Sequence, residues 1–169
     1  MNMMTKLSDE QIHEIAETID AVDDVCYINR DTGEYILMMN NENLRDYGIS
    51  WEDDEEDVPD DSSPKWQKEM YADTKADMDK IYSWKNVIRI EKPESHEAFE
   101  FMERFVDEII PEGKLKQDFW KALSRSHPFR NFNAIVHNSK YREDWFRFKQ
   151  MAMEEYVRRA IGQYEEDNQ

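Results

Sequence analysis

The chain has 169 residues, 36% of them charged and 39% hydrophobic, with four glycines, five prolines and one cysteine, Cys26. That profile fits one helix-rich domain and excludes an internal disulfide and a multi-cysteine zinc or iron–sulfur site. No run of about eighteen apolar residues could span a bilayer, and the start, MNMMTKLSDEQ, lacks the apolar stretch of a secretory signal, so the expected place is the cytoplasm, off the membrane. The formal charge of −17, if spread evenly, would also argue against nucleic acid and anionic membrane as partners.

Ser8, followed by Asp9, Glu10 and Gln11, has the pattern of a capping box and predicts a helix to about Asp20. Its apolar positions Ile12, Ile15, Ala16 and Ile19 form one stripe, with His13 off it. Val25 to Asn29 and Glu34 to Met39 are rich in β-branched and aromatic residues and flank the turn Arg30-Asp31-Thr32-Gly33, which predicts a hairpin over 25–39. Both faces of that hairpin are mostly apolar, so helix cover is expected, and Cys26 reads as a small buried residue with no basic neighbour to activate it.

Glu52 to Asp61, EDDEEDVPDD, holds eight acids in ten residues and is interrupted by Pro59, which predicts an acidic loop or strap at about 50–63. Its ordinary role is solvation; its sharper one is to fold over and mask a basic surface. Beyond it, Ser63 before Pro64 predicts a capped polar helix from Lys65 to about Trp84, and Asn86 to Glu91 predicts a third strand.

From Ser95 onward only helix signals appear. Ser95 is expected to cap a helix to about Ile110, burying Phe99, Met102, Phe105, Val106 and Ile109. A second helix runs from Lys114 to Ser124 with Leu115, Phe119, Trp120 and Leu123 inward, and a third runs from Pro128 to near Asn138 with Phe129, Phe132, Ile135 and Val136 inward. The last, from about Lys140 to Tyr164, carries Trp145, Phe148, Met151, Ala152, Tyr156, Val157 and Ala160. The fold expected is therefore α+β in a single domain over 1–169: an N-terminal helix, a three-stranded antiparallel sheet made of hairpin 25–39 plus strand 86–91, and a C-terminal helical assembly.

Charge is segregated along this order. Met1 to Gly113 holds 31 acidic and 11 basic residues, whereas Lys114 to Arg159 holds 5 and 11. Within that basic third, Pro128-Phe129-Arg130-Asn131-Phe132 and Trp145-Phe146-Arg147-Phe148-Lys149 interleave cations with rings, a pattern able to stack bases and hold phosphates. The same spacing also describes a helical core edged by snorkelling side chains. Arg130, Arg147, Trp145 and Lys149 are the binding candidates.

A second constellation, His96, Glu100 and Glu103 on one helix face, could share a divalent metal, although a single nitrogen ligand is sparse for zinc. There is no G-x-S-x-G, no glycine-rich phosphate loop and no H-E-x-x-H, so no catalytic residue and no cofactor is assigned.

Tyr27-Ile28-Asn29-Arg30-Asp31-Thr32-Gly33-Glu34, Glu94-Ser95-His96-Glu97-Ala98-Phe99-Glu100-Phe101-Met102-Glu103-Arg104-Phe105, and Pro128 to Phe132 followed by Trp145 to Phe148 together resemble uncharacterised protein family 0158. The resemblance covers most of the chain outside residues 50–85 and implies a non-secreted bacterial protein, with no activity or functional residue to carry over. The acidic stretch departs from that family's pattern. The function expected first is a non-enzymatic cytoplasmic interaction or regulatory module with a protein partner. The alternative is nucleic-acid or phosphate binding by the basic 114–159 face, and the third is a divalent-metal hydrolase at His96, Glu100 and Glu103.

Overall fold

A computed structural model describes residues 7–50 and 58–167, with side chains through residue 162. The described residues form an α+β fold, with elements in the order α1 (Asp9–Val22), β1 (Val25–Asn29), β2 (Tyr35–Met38), α2 (Asn41–Asp46), α3 (Lys65–Tyr82), β3 (Val87–Ile90), α4 (Ser95–Ile109), α5 (Lys114–Ser124), α6 (Pro128–His137) and α7 (Arg142–Asp167). Contacts gather the chain into two compact units. The first takes the described residues of Met1–Lys92 and Val157–Gln169, and the second is Pro93–Tyr156. Residues 52–57 of the acidic stretch lie outside the described residues.

In the first unit, α1 starts at the capping box that its sequence encodes. The Ser8 hydroxyl accepts from the Gln11 N–H at 3.1 Å, and the Gln11 side chain accepts from the Ser8 N–H at 2.9 Å. Ile12, Ile15, Ala16 and Ile19 are buried. The sheet is antiparallel with order β2-β1-β3, so the hairpin's first strand is its centre. Gly33, at φ +79, completes the hairpin turn by donating its N–H to the Asn29 carbonyl at 2.8 Å.

The register assigns each residue to a face, because directly paired residues point the same way. Cys26, Leu37 and Ile90 share one face with Ile28, Tyr35 and Ile88; Tyr27, Ile36 and Arg89 share the other with Val25 and Met38. Helix α1 covers the first face, where the Tyr35 hydroxyl donates to Glu14. Helix α3 packs on β2 over the second, with Lys80 paired to Glu34. Double cover explains why Val25, Cys26 and Ile28 are all buried on one strand.

Three local readings are corrected here. Helix α2 was not foreseen; Asn40 caps it by accepting from the Asn43 N–H at 2.8 Å. Ser63 does not cap α3. Its hydroxyl accepts instead from the Asp60 N–H at 2.9 Å, leaving Pro64 at the cap position. Likewise Glu94, not Ser95, holds the cap position of α4.

Helix α2 ends in a Schellman motif: Gly48 N–H donates to Arg45 O at 2.9 Å and Ile49 N–H to Leu44 O at 3.0 Å, and Leu44 and Ile49, the apolar positions that often accompany the motif, are both buried. Gly48 sits at φ +78, and a Cβ there would lie 2.5 Å from Gln67 Nε2, which donates to Tyr47 O at 2.8 Å.

In the second unit, rings build the core. Phe105 of α4 meets Phe132 at 6.2 Å, Trp145 at 5.2 Å and Phe148 at 5.5 Å, and Phe132 meets Phe119 at 5.2 Å and Trp145 at 4.8 Å. Most of these pairs are edge-to-face, each worth roughly 0.5–1.5 kcal/mol beyond the area buried. Four inward assignments shift: Ile109, Trp120, Phe129 and Met151 are exposed, whereas Ile110, Phe101, Ala122 and Met153 are buried. Lys116 is buried along its stem; its ammonium donates to the Asp107 carbonyl in the last turn of α4 at 3.2 Å and pairs with Glu112 at 3.1 Å.

Two predictions follow from the first unit. Gly48→Ala forces an L side chain into the left-handed region and displaces the Gln67 amide, so chemical denaturation should show a loss of about 1–2 kcal/mol, part of it recovered in the double variant with Gln67→Ala. The second concerns Asp24, which with Asp23, Glu42, Glu91, Lys92 and Asn40 lines an open cavity of about 450 Å³. Burial first, and the Asp23 charge second, hold the Asp24 carboxyl above its ordinary range. A raised folded-state pKa means the folded chain holds this proton more tightly than the unfolded chain does. Its contribution is therefore present below the ordinary carboxylate range and lost as pH rises through the folded value. Asp24→Asn should raise Tm near pH 7 and leave it unchanged near pH 3.

Candidate functional site

The basic stretch proposed from sequence, 114–159, divides between the units, since Arg158 and Arg159 belong to the first and the rest to the second. Arg158 is paired with Asp9 at 2.8 Å within the first unit. In the second unit, Lys114 is paired with Asp118 at 3.1 Å, Lys116 with Glu112, and Arg147 with Asp144 at 2.8 Å.

The four binding candidates do not act alike. Trp145 is 5% exposed and belongs to the ring core, where it cannot meet a ligand without unpacking α7. Arg147 points outward two positions on, but Asp144, one helical turn before it, already balances its charge. Its two sequence neighbours diverge: Phe148 is buried and Phe146 is 40% exposed, so the rings flanking Arg147 in sequence do not flank it in space. Lys149 is half-buried and already engaged. Arg130 is exposed on α6.

What the structure does bring together is a strip across α6 and α7. Phe132 and Val136 face the core, and this turns Arg130, Asn133 and His137, at spacings of three and seven, to the outside. The His137 ring lies 5.7 Å from the Phe146 ring, and the Arg142 guanidinium lies 5.3 Å from the centroid of the same ring. Phe146 is thus held in place by a histidine and a cation while still showing two-fifths of its surface. Beside it, Lys140 sits 5.4 Å from the Tyr141 ring.

The α5–α6 corner adds a second cationic group. The side chains of Lys121, Arg125 and Arg130 make no ion pair or hydrogen bond among the described residues, and Trp120 and Phe129, next to Lys121 and Arg130 in sequence, are exposed. His127, at φ +57, shapes this corner and places Pro128 at the first position of α6.

His137 and Arg142 escaped the sequence reading because they lie on different helices from one another. No period within one helix links them to Phe146 and Arg130 at once. The metal candidates are placed otherwise. His96 is exposed and 3.3 Å from Glu94, Glu100 is exposed and Glu103 is half-buried on α4. Among the described residues, no group of three histidines, cysteines or carboxylates is positioned to hold a metal ion. Cys26 is fully buried, and desolvation first, then the Glu14 charge, pushes its thiol up to about 12, far from the thiolate a nucleophile needs.

No helix among the described residues is long and apolar enough to cross a membrane. No protein-family model matches the chain, and neither curated proteins nor solved structures yield a match.

Proposed function

We propose that the chain is a non-enzymatic, cytoplasmic protein-interaction module whose contact surface is the strip Arg130, His137, Phe146 and Arg142. The observation that carries this reading is the Phe146 ring, 40% exposed while in contact with both the His137 ring and the Arg142 guanidinium. A ring fixed before contact loses little entropy on binding, and aromatic residues with arginine supply much of the energy in protein interfaces. Cations at both ends of the strip favour a partner segment that sets an apolar side chain between carboxylates. The resemblance to family 0158 supplies no activity, so the reading stands on this geometry.

A second reading has its own support. Lys121, Arg125 and Arg130 lack acidic partners among the described residues and adjoin the exposed rings Trp120 and Phe129 in sequence, a combination suited to tracking a nucleic-acid backbone and stacking its bases.

One experiment separates the two: capture of partners from native lysate at low salt by the tagged full chain, with and without nuclease. The first reading expects a protein that survives nuclease and whose affinity falls about thirtyfold with Phe146→Ala, the loss typical of an interface anchor, while Arg147→Ala changes it little. Capture that disappears with nuclease and with charge reversal at Lys121, Arg125 and Arg130 supports the second. A protein bound equally well by Phe146→Ala refutes the assignment of this strip.

A further inference from the structure

The first unit contains an opening that the interaction surface does not use. Helix α3 is mostly polar and buries Ile81 alone in full, so it covers its face of the sheet incompletely. Met78, Ile81 and Tyr82 recur at three and four along α3 and face Val25, Tyr27 and Met38 of the hairpin across a cavity of about 150 Å³. That is roughly the size of cavity that admits one benzene ring in a packed protein.

We propose that this cavity is a binding site for a small neutral molecule with a single aromatic ring. Its walls favour that class in three ways. Met38, Met39 and Met78 present flexible, polarisable thioethers, which make favourable contacts with ring edges and adjust to shape. The Tyr27 ring, with the Arg89 guanidinium 6.0 Å from its centroid, forms a fixed planar wall. The polar contact is equally specific: Arg89 Nε donates to the Tyr27 hydroxyl at 3.3 Å, which leaves the hydroxyl proton to donate to an oxygen on the ligand.

Neutrality follows from the charge arrangement. Arg89 is ion-paired with Glu91, so the one cation lining the cavity is already balanced and does not call for an anion. Tyr82, 76% exposed at the rim, leaves the mouth open to a molecule entering from solvent.

The test is methyl NMR of the full chain labelled at its methionine methyl groups, titrated with p-cresol, with cyclohexanol and benzoate as probes of similar size. The proposal expects saturable shifts at Met38, Met39 and Met78 with p-cresol, weaker ones with cyclohexanol and none stronger with benzoate. Met78→Trp should fill the space and abolish those shifts while leaving Tm near the parent value; if that variant melts early, Met39→Trp closes the same mouth. Absence of saturable shifts with p-cresol, equal binding of cyclohexanol, preference for benzoate, or undiminished binding by the filled variants would each overturn it.

Discussion

The surface of the second unit depends on how its rings lock the rotation of α6 and α7. Phe132 and Trp145 meet at 4.8 Å, and both meet Phe105. With Phe132 and Val136 inward, helical geometry leaves no choice for Arg130 and His137 but the outer face; with Trp145 and Phe148 inward, Arg142 and Phe146 must point outward as well. The exposed strip is therefore a consequence of core packing. A close-packed core transmits small changes in volume, so even conservative changes at Phe132 would move the strip as well as lower stability.

The first unit obeys a different constraint. Its central strand is covered on both faces, but by unequal helices: α1 buries a continuous apolar stripe, while α3 brings one fully buried side chain and several half-buried ones. Cys26 and Ile28, under α1, are sealed, whereas Tyr27, under α3, remains partly open. The cavity lies on the weakly covered face for this reason. Methionine at three places around it lets that face stay closed enough to fold without a unique packing solution.

The parts of this architecture that were readable in the sequence are those encoded within a few residues. Ser8 and Gln11 specify the start of α1, and the turn before Gly33 specifies the hairpin, because each uses partners no more than about four positions apart. The three strands were legible too, since only three segments carry strand character, but which edge of the hairpin the third strand joins was not, because that pairing is set by contacts some sixty residues apart. Inward and outward faces in the C-terminal helices were less legible. A 3.6-residue period blurs neighbours, and the exchanges of Ile109 for Ile110 and Met151 for Met153 are slips of one or two positions decided by long-range packing. Helix α2 was missed because six residues make too short a pattern; Asn40 and Gly48, which bracket it, are equally common in plain turns. Trp145 shows the cost most directly, for it fits both the apolar stripe of α7 and the ring-and-cation pattern, and packing gave it to the core while Phe146 beside it went to the surface.

Charge distribution bears on which class of partner suits the strip. Pro93–Tyr156 carries 12 acidic and 10 basic residues, while the rest of the chain carries 27 and 12, so nearly all of the net −17 lies in the first unit's sequence. Such a chain approaches a polyanion against a repulsive long-range field and gains from local cations only at short distance, where salt screens both effects. A protein segment with a few carboxylates around an apolar residue meets far less of that repulsion, because its charge is small, while it keeps the contact with Phe146 that salt leaves intact. In the reading proposed above, the ring in the strip thus matters more than the cations beside it: they would orient a partner, whereas the apolar contact would retain it at physiological ionic strength, and this is the ground for proposing a protein rather than a nucleic acid.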